Sequence, residues 1–256
     1  MTKKAVIISS VNQAEKIQNL TDAYLIPLKD LSINYTNTFT IDEIKKIKKF
    51  GKEIFIFINK NIHNSELESL EKKLKEIDRL NINGIIFYDI SVLQLKKELS
   101  IKTDLVWHQE HLSVGIGSVN YYYSKGVKYA YLSSEITKRE IYEIKKNTKA
   151  KLFVNVFGYI PMFTSKRNLV KNYIETFDIN HKGNKIYKEG KYYNIIDEES
   201  GTFVLSDYIL NIKEKLDIDY IVYNSEKIPN FEKILENNDM KENTGFLYKE
   251  TIYKVK

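Results

Sequence analysis

The sequence predicts an α/β fold: a (β/α)8 barrel of the TIM type with a β-hairpin-containing insertion between strands 7 and 8. Three observations carry that expectation. Eight short β-rich runs recur along the 256 residues, and several are almost wholly apolar, as in Ile54-Phe55-Ile56-Phe57-Ile58. Such runs mark parallel strands buried on both faces. The stretches between them are mostly amphipathic, as crossover helices require. The length suits a single barrel domain, 1–256, because barrels of about 250 residues form one unit.

The elements follow in order. Strand 1 is expected at Ala5–Ser9. Its apolar run ends at Ser9-Ser10, too soon for a secretory leader or a membrane span, so the protein is read as cytoplasmic with no membrane partner. Strand 2 is Ala23–Pro27, and a helix opened by Thr40 covers Ile41–Phe50. After strand 3, Glu53–Asn59, the clearest helix runs over Asn64–Leu80, with Leu67, Leu70, Leu74 and Ile77 three or four residues apart. Strand 4 (Gly84–Asp89), a helix at Val92–Leu99, strand 5 (Asp104–His108) and a helix at Val119–Lys125 continue the alternation. Strand 6 is Tyr129–Ser133. Thr137 and Glu140 then form the capping box of a helix over Lys138–Asn147. Strands 7 and 8 are Lys151–Val156 and Tyr220–Tyr223, with helices expected at Asp207–Lys215 and Phe231–Asn238.

Strands 7 and 8 stand about sixty residues apart, far more than one crossover needs. Within that gap Lys185–Lys188 and Lys191–Ile196 flank Glu189-Gly190, the pattern of a hairpin. A second turn, Glu198 to Thr202, precedes the strand-like Phe203–Leu205. The insertion, about 160–206, is expected over the C-terminal face, where barrels place their sites.

Composition narrows the chemistry. There are 40 Lys+Arg against 34 Asp+Glu, a net +6, and 43% of residues are hydrophobic, too many for a disordered chain. The absence of cysteine excludes disulfides, thiolate catalysis, Cys-ligated zinc and Cys-ligated iron–sulfur clusters. No metal site and no cofactor are expected. Only Arg79, Arg139 and Arg167 are arginines. The positive balance reads either as a solvated lysine surface or as an attraction to nucleic-acid phosphates.

Four segments are candidates for function. Gly115-Ile116-Gly117 lacks the third glycine of a dinucleotide fingerprint and reads as a turn. Trp107-His108-Gln109-Glu110-His111, at the end of strand 5, is the densest polar cluster; it reads as structural or capping residues, as a substrate contact able to exchange protons, or as ligands for a divalent metal, although His108 and His111, three apart at a strand end, need not face one another. Ser133-Ser134-Glu135 ends strand 6, with Glu135 at the expected rim. After strand 7, Gly158 and Pro161 mark a sharp exit from the barrel wall. Lys166-Arg167 then offers paired charge, for a carboxylate or phosphate or for an internal salt bridge. His108, Glu110, His111 and Glu135 are the catalytic candidates, and Ser133, Ser134, Gly158, Lys166 and Arg167 the binding candidates.

At these residues the chain resembles the collagenase-like peptidase family, peptidase U32. Gly126 to Ile136 followed by Glu140-Ile141 is similar to the family stretch G-x-x-R-x-x-L-S-R-E-L-S-x-x-E-I. Phe153–Asn168 lies along the signature E-x-F-x-x-G-[SA]-[LM]-C-x-x-x-x-G-x-C: Gly158 matches its glycine, Pro161 and Asn168 stand at its two cysteines, Phe153 replaces the glutamate and Lys166 the second glycine. Tyr192–Thr202 with Ser206-Asp207, and Asn243 to Tyr248, resemble later pieces, so the likeness spans about 84–253. It implies a TIM barrel and two alternative functions. One is a peptidase of the hydrolase class acting on a peptide substrate. The other is a non-catalytic accessory subunit of tRNA wobble-uridine hydroxylation, working with RNA and a longer, cysteine-bearing U32 subunit. The four-iron cluster of other members does not carry over to a chain without cysteine.

Overall fold

The computed structural model describes residues 1–178, 185–198 and 200–249. Among them eight parallel strands close into a barrel: β1 (Lys3–Ile7), β2 (Ala23–Pro27), β3 (Glu53–Ile58), β4 (Gly84–Phe87), β5 (Asp104–Trp107), β6 (Tyr129–Tyr131), β7 (Lys151–Ser165) and β11 (Tyr220–Asn224). Closure comes from β11, which pairs in parallel with β1 on one side (Lys3↔Tyr220 to Ile7↔Asn224) and with β7 on the other (Tyr220↔Phe153). Helices α1 (Val11–Ile17), α2 (Ile41–Lys48), α3 (Leu67–Asp78), α4 (Ile90–Glu98), α5 (Ile116–Ser124) and α6 (Lys138–Lys146) connect successive strands, and α8 (Phe231–Glu236) follows β11.

The continuous apolar runs are explained by two cores. In β3, Ile54, Ile56 and Ile58 face outward against the helices, while Phe55 and Phe57 fill the barrel interior. The interior is aromatic: Phe153 stacks on Tyr220 at 4.1 Å, and Phe55 meets both edge-on. Interlocking rings of this kind leave no channel.

The expected elements recur with several differences. Helix α1 had no expected counterpart; Ser10 opens it, its side chain accepting from the Gln13 N–H at 3.0 Å. Helix α5 begins three residues earlier than expected, at Ile116, directly after Gly115. The exit after strand 7 is not sharp. β7 continues to Ser165, and its outer half pairs antiparallel with β10 (Gly201–Asn211). The helix expected over Asp207–Lys215 does not form, because residues 207–211 belong to β10, with Ile209, Leu210 and Asn211 opposite Tyr159, Gly158 and Phe157. The protruding edge of β7 offers ladder hydrogen bonds to a β-rich stretch, and that pairing outweighs helical spacing.

The insertion holds α7 (Leu169–Phe177), β8 (Lys185–Lys188), β9 (Lys191–Glu198) and β10, and the sheet order runs β7-β10-β9-β8. The hairpin at Glu189-Gly190 forms as expected, with both residues at positive φ (52° and 79°), as a two-residue primed turn requires. The second turn includes Glu199, and the family-like end includes residues 250–253; these lie outside the described residues. Thr164 Oγ1 donates to Asn34 Oδ1 (2.6 Å), and Lys166 Nζ to the Asn61 carbonyl (2.6 Å). Both acceptors lie in loops after barrel strands, so the insertion rests on the C-terminal rim.

Candidate functional site

The mouth of the barrel has an aromatic floor. Beyond β5 the chain keeps the barrel register for one more residue, the His108 N–H donating to the Phe87 carbonyl at 3.1 Å. This turns the His108 ring inward, where it is 8% exposed and stacks on Tyr131 with centroids 4.3 Å apart. Its Nδ1 lies 3.1 Å from the Tyr131 carbonyl, an acceptor only, so Nδ1 carries the proton. Burial pushes the ring pKa down to about 4, which keeps the imidazole neutral at pH 7. Nε2 has no hydrogen-bond partner among the described residues and is left as an acceptor.

Around that ring the polar groups pair off. The 3-10 turn Glu110–Leu112 begins with Glu110 at φ 43°, and its partly buried carboxylate accepts from Asn34 Nδ2 at 2.5 Å. Burial raises the Glu110 pKa, against the opposing pull of His111 and Asn34. His111 Nδ1 stands 3.0 Å from Glu135 Oε1, both about one-third exposed at the rim. Ser133 Oγ accepts from the Glu135 N–H at 3.1 Å. Tyr131 Oη donates to Asn155 Oδ1 (2.5 Å), and Asn155 Nδ2 donates to Ser134 Oγ (2.8 Å).

Six of the nine residues singled out in the sequence therefore converge. His108, Glu110, His111, Ser133, Ser134 and Glu135 line one cavity of about 40 Å³, with Tyr35, Asn155 and Asn224. The other three lie apart from it. Gly158 (φ 114°) sits where β7 passes β11: a Cβ there would lie 2.5 Å from the Asn224 carbonyl oxygen, so its role in the fold is a close backbone approach. Lys166 lines a larger cavity of about 570 Å³ between the insertion and the loops after β2 and β3, together with Lys29, Lys60, His63, Glu66 and Glu198. Arg167 is exposed; its carbonyl accepts from Thr202 Oγ1 at 2.9 Å, and its guanidinium has no ion pair among the described residues.

Sequence reasoning missed four residues. Tyr35, 8% exposed, is the wall shared by both cavities. Asn34 ties the β5 turn to the insertion. Glu226, after β11, is buried and accepts from Thr36 Oγ1 (2.5 Å) and the Thr36 N–H (3.3 Å); burial raises its pKa. Asn155 was the most legible, a lone amide inside the apolar run Leu152-Phe153-Val154-Asn155-Val156-Phe157.

The arrangement can hold a small polar group against the His108 ring, but it assembles no nucleophile–base pair. Each serine and each imidazole of the cluster is engaged with a different group. No three His, Asp or Glu among the described residues are placed to share a metal ion. A four-cysteine iron cluster of the kind other family members carry does not fit either. Pro161, at one cysteine position, is a β7 residue lining the small cavity, and Asn168, at the other, donates from Nδ2 to the Glu198 carbonyl. Neither can supply a thiolate.

Fold and site together define a closed parallel α/β barrel whose C-terminal mouth is roofed by a sheet extending one of its own strands. The chain belongs to peptidase family U32, whose model matches residues 10–230. It is 24% identical to tRNA hydroxylation protein P2 of Bacillus subtilis, over 85% of this chain and 76% of that protein. It is 23% identical to tRNA hydroxylation protein P1 of the same organism, over 72% of this chain but only 46% of that protein. An uncharacterized protease of Methanocaldococcus jannaschii is 26% identical over 91% of this chain and 60% of its own length. The solved structure of a U32 peptidase superposes with a TM-score of 0.59, covering 88% of this chain and 92% of that one at 12% identity, a likeness of fold alone. No helix among the described residues is long and apolar enough to cross a membrane.

Proposed function

We propose that this chain is a non-catalytic accessory subunit of a tRNA hydroxylation system, acting in the cytoplasm beside a longer, cysteine-bearing U32 relative. One observation carries the reading: the mouth pairs every serine and imidazole of its cluster with a group other than a nucleophile or its base, in a chain that has no cysteine. Hydrolysis by a serine peptidase needs a base bonded to its nucleophile, and neither Ser133 Oγ nor Ser134 Oγ is hydrogen-bonded to an imidazole or a carboxylate. The likeness to the two Bacillus subtilis proteins supplies the reaction class. In this reading His108, Glu110, His111 and Glu135 shape and hold the mouth. Ser133, Ser134, Lys166 and Arg167 contact RNA or the partner, and Gly158 lets β7 leave the barrel.

The test has two arms. Deleting the gene should lower the fraction of hydroxylated wobble uridine in bulk tRNA, measured by mass spectrometry, and restoring the wild-type chain should recover it. Affinity purification of the tagged chain should bring down a longer U32 protein. Unchanged tRNA, together with gelatin cleavage by the purified chain that one mouth substitution abolishes, would put the peptidase reading in its place.

A further inference from the structure

We propose that the β8–β9 hairpin of the insertion is a stacking platform for single-stranded RNA. The choice of RNA rests on the function proposed above; the surface itself is read from the structure. Tyr187 and Tyr192 face each other across the hairpin in direct register, their ring centroids 4.9 Å apart and their planes tilted by 49°. They are 63% and 62% exposed, so neither ring is needed for the core. Residues opposite one another in a ladder project to the same face, which places Lys185 and Asn194 on the tyrosine side and Lys188 and Lys191 on the reverse. From Lys185 to Tyr192 the chain carries three lysines against a single glutamate. Lys191 pairs with Asp207 at 2.9 Å, Lys188 touches Glu189 only at 3.9 Å, and the Lys185 ammonium has no ion pair among the described residues.

Paired rings bordered by lysines fit a nucleic acid better than a protein. Cores of protein interfaces are depleted of lysine, whereas single-strand binders combine exposed aromatic faces with cations that follow the phosphates. The bases would stack on Tyr187 and Tyr192, and the lysines would neutralise the backbone on either side. The platform leads back to the mouth, because further along the same sheet Ile196, Phe203 and Leu205 pack with Tyr159 into a small core of their own.

The experiment follows a fluorescein-labelled 17-nucleotide anticodon stem-loop by anisotropy, titrated with the whole chain at several salt concentrations. Tyr187→Ala with Tyr192→Ala should weaken binding at least tenfold at unchanged melting temperature. The Phe/Phe pair should stay within threefold of wild type, since stacking needs the ring and not the hydroxyl. Replacing Lys185 and Lys188 by Gln should flatten the dependence of log K on log salt by about 1.4 units, at about 0.7 for each phosphate no longer neutralised. The proposal falls if the wild-type chain does not bind the stem-loop, or if the Ala pair binds it as tightly as wild type. It falls equally if the Ala pair keeps RNA binding but no longer retains the longer U32 protein, which would make the hairpin a protein dock. These readouts are independent of hydroxylation in cells, so the platform and the accessory role can fail separately.

Discussion

Holding a neutral imidazole in the barrel mouth couples stability to pH through His108. Its folded pKa of about 4 lies below the ordinary value of 6.5, so the unfolded chain takes up the proton first. The stabilisation is complete above about pH 6.5 and is lost as the pH falls towards 4, to the extent of about 3 kcal/mol. Glu110 and Glu226 run the other way: their raised pKa values favour the folded state at low pH and weaken it as the pH rises above the ordinary carboxylate range. Melting wild type and His108→Phe side by side at pH 7, 5.5 and 4.5 isolates the histidine, and the difference between them should narrow as the pH drops. A constant difference would mean that the ring is solvated. Asn34 offers a second test, because it donates to Glu110, accepts from Thr164 and holds φ 71°. Asn34→Ala should cost about 3 kcal/mol in urea unfolding and Asn34→Gly about 1 kcal/mol less, since glycine relieves the left-handed backbone but makes neither bond. Of these residues only His108 and Glu110 stood out in the sequence, by polar density at a strand end. Asn34 could not, because its importance comes from three distant segments meeting.

Most helices and strands whose own residues decided them were legible, α1 being the exception. Thr137 and Glu140 form the expected capping box, with the Thr137 side chain accepting from the Glu140 N–H and the Glu140 carboxylate accepting from the Thr137 N–H at 2.7 Å. Thr137→Ala should therefore lower stability by about 1 kcal/mol, which a urea unfolding curve would measure. The error at Asp207–Lys215 has the opposite origin. That stretch became a strand because β7 overran its expected end by nine residues, Val156 to Ser165, and exposed an edge to pair with. Nothing local announces such an overrun except Gly158, whose missing Cβ makes room for the Asn224 backbone. Gly158→Ala should cost at least about 3 kcal/mol, combining a forbidden contact with a φ that side chains avoid. Soluble expression and a melting curve check this, and a near-neutral substitution would show that β7 can leave the barrel along another path.

For the whole molecule, eight strand-like runs and their apolar crossovers were enough to indicate a closed barrel, because each strand is buried by its own neighbours on both faces. The roof over the mouth was harder to place, since its contacts cross from residues 164 and 166 to residues 34 and 61. Arg167 belongs at this scale. An internal salt bridge that anchors the insertion was one reading of it, but its guanidinium is exposed and has no ion pair among the described residues, and it is the backbone of Arg167 that ties into Thr202. Arg167→Ala should leave the melting temperature within about 1 °C, as an exposed substitution does. A loss of RNA affinity at that unchanged stability would assign the side chain to binding, and a lowered melting temperature would return it to anchoring.

The pairing of β1 with β11 also sets when the molecule can exist at all. Lys3 and Tyr220 are neighbours in the finished sheet, so during synthesis the first strand waits for a partner that leaves the ribosome more than two hundred residues later. Until then β1 and β7 are bare sheet edges, able to recruit strands from another nascent chain, and pairing over such a separation is slow. A messenger truncated before codon 220 should yield an insoluble or chaperone-bound product, whereas one extended past Asn224 should release a protease-resistant barrel. The seam that finishes the fold therefore makes closure of the barrel a late event in synthesis.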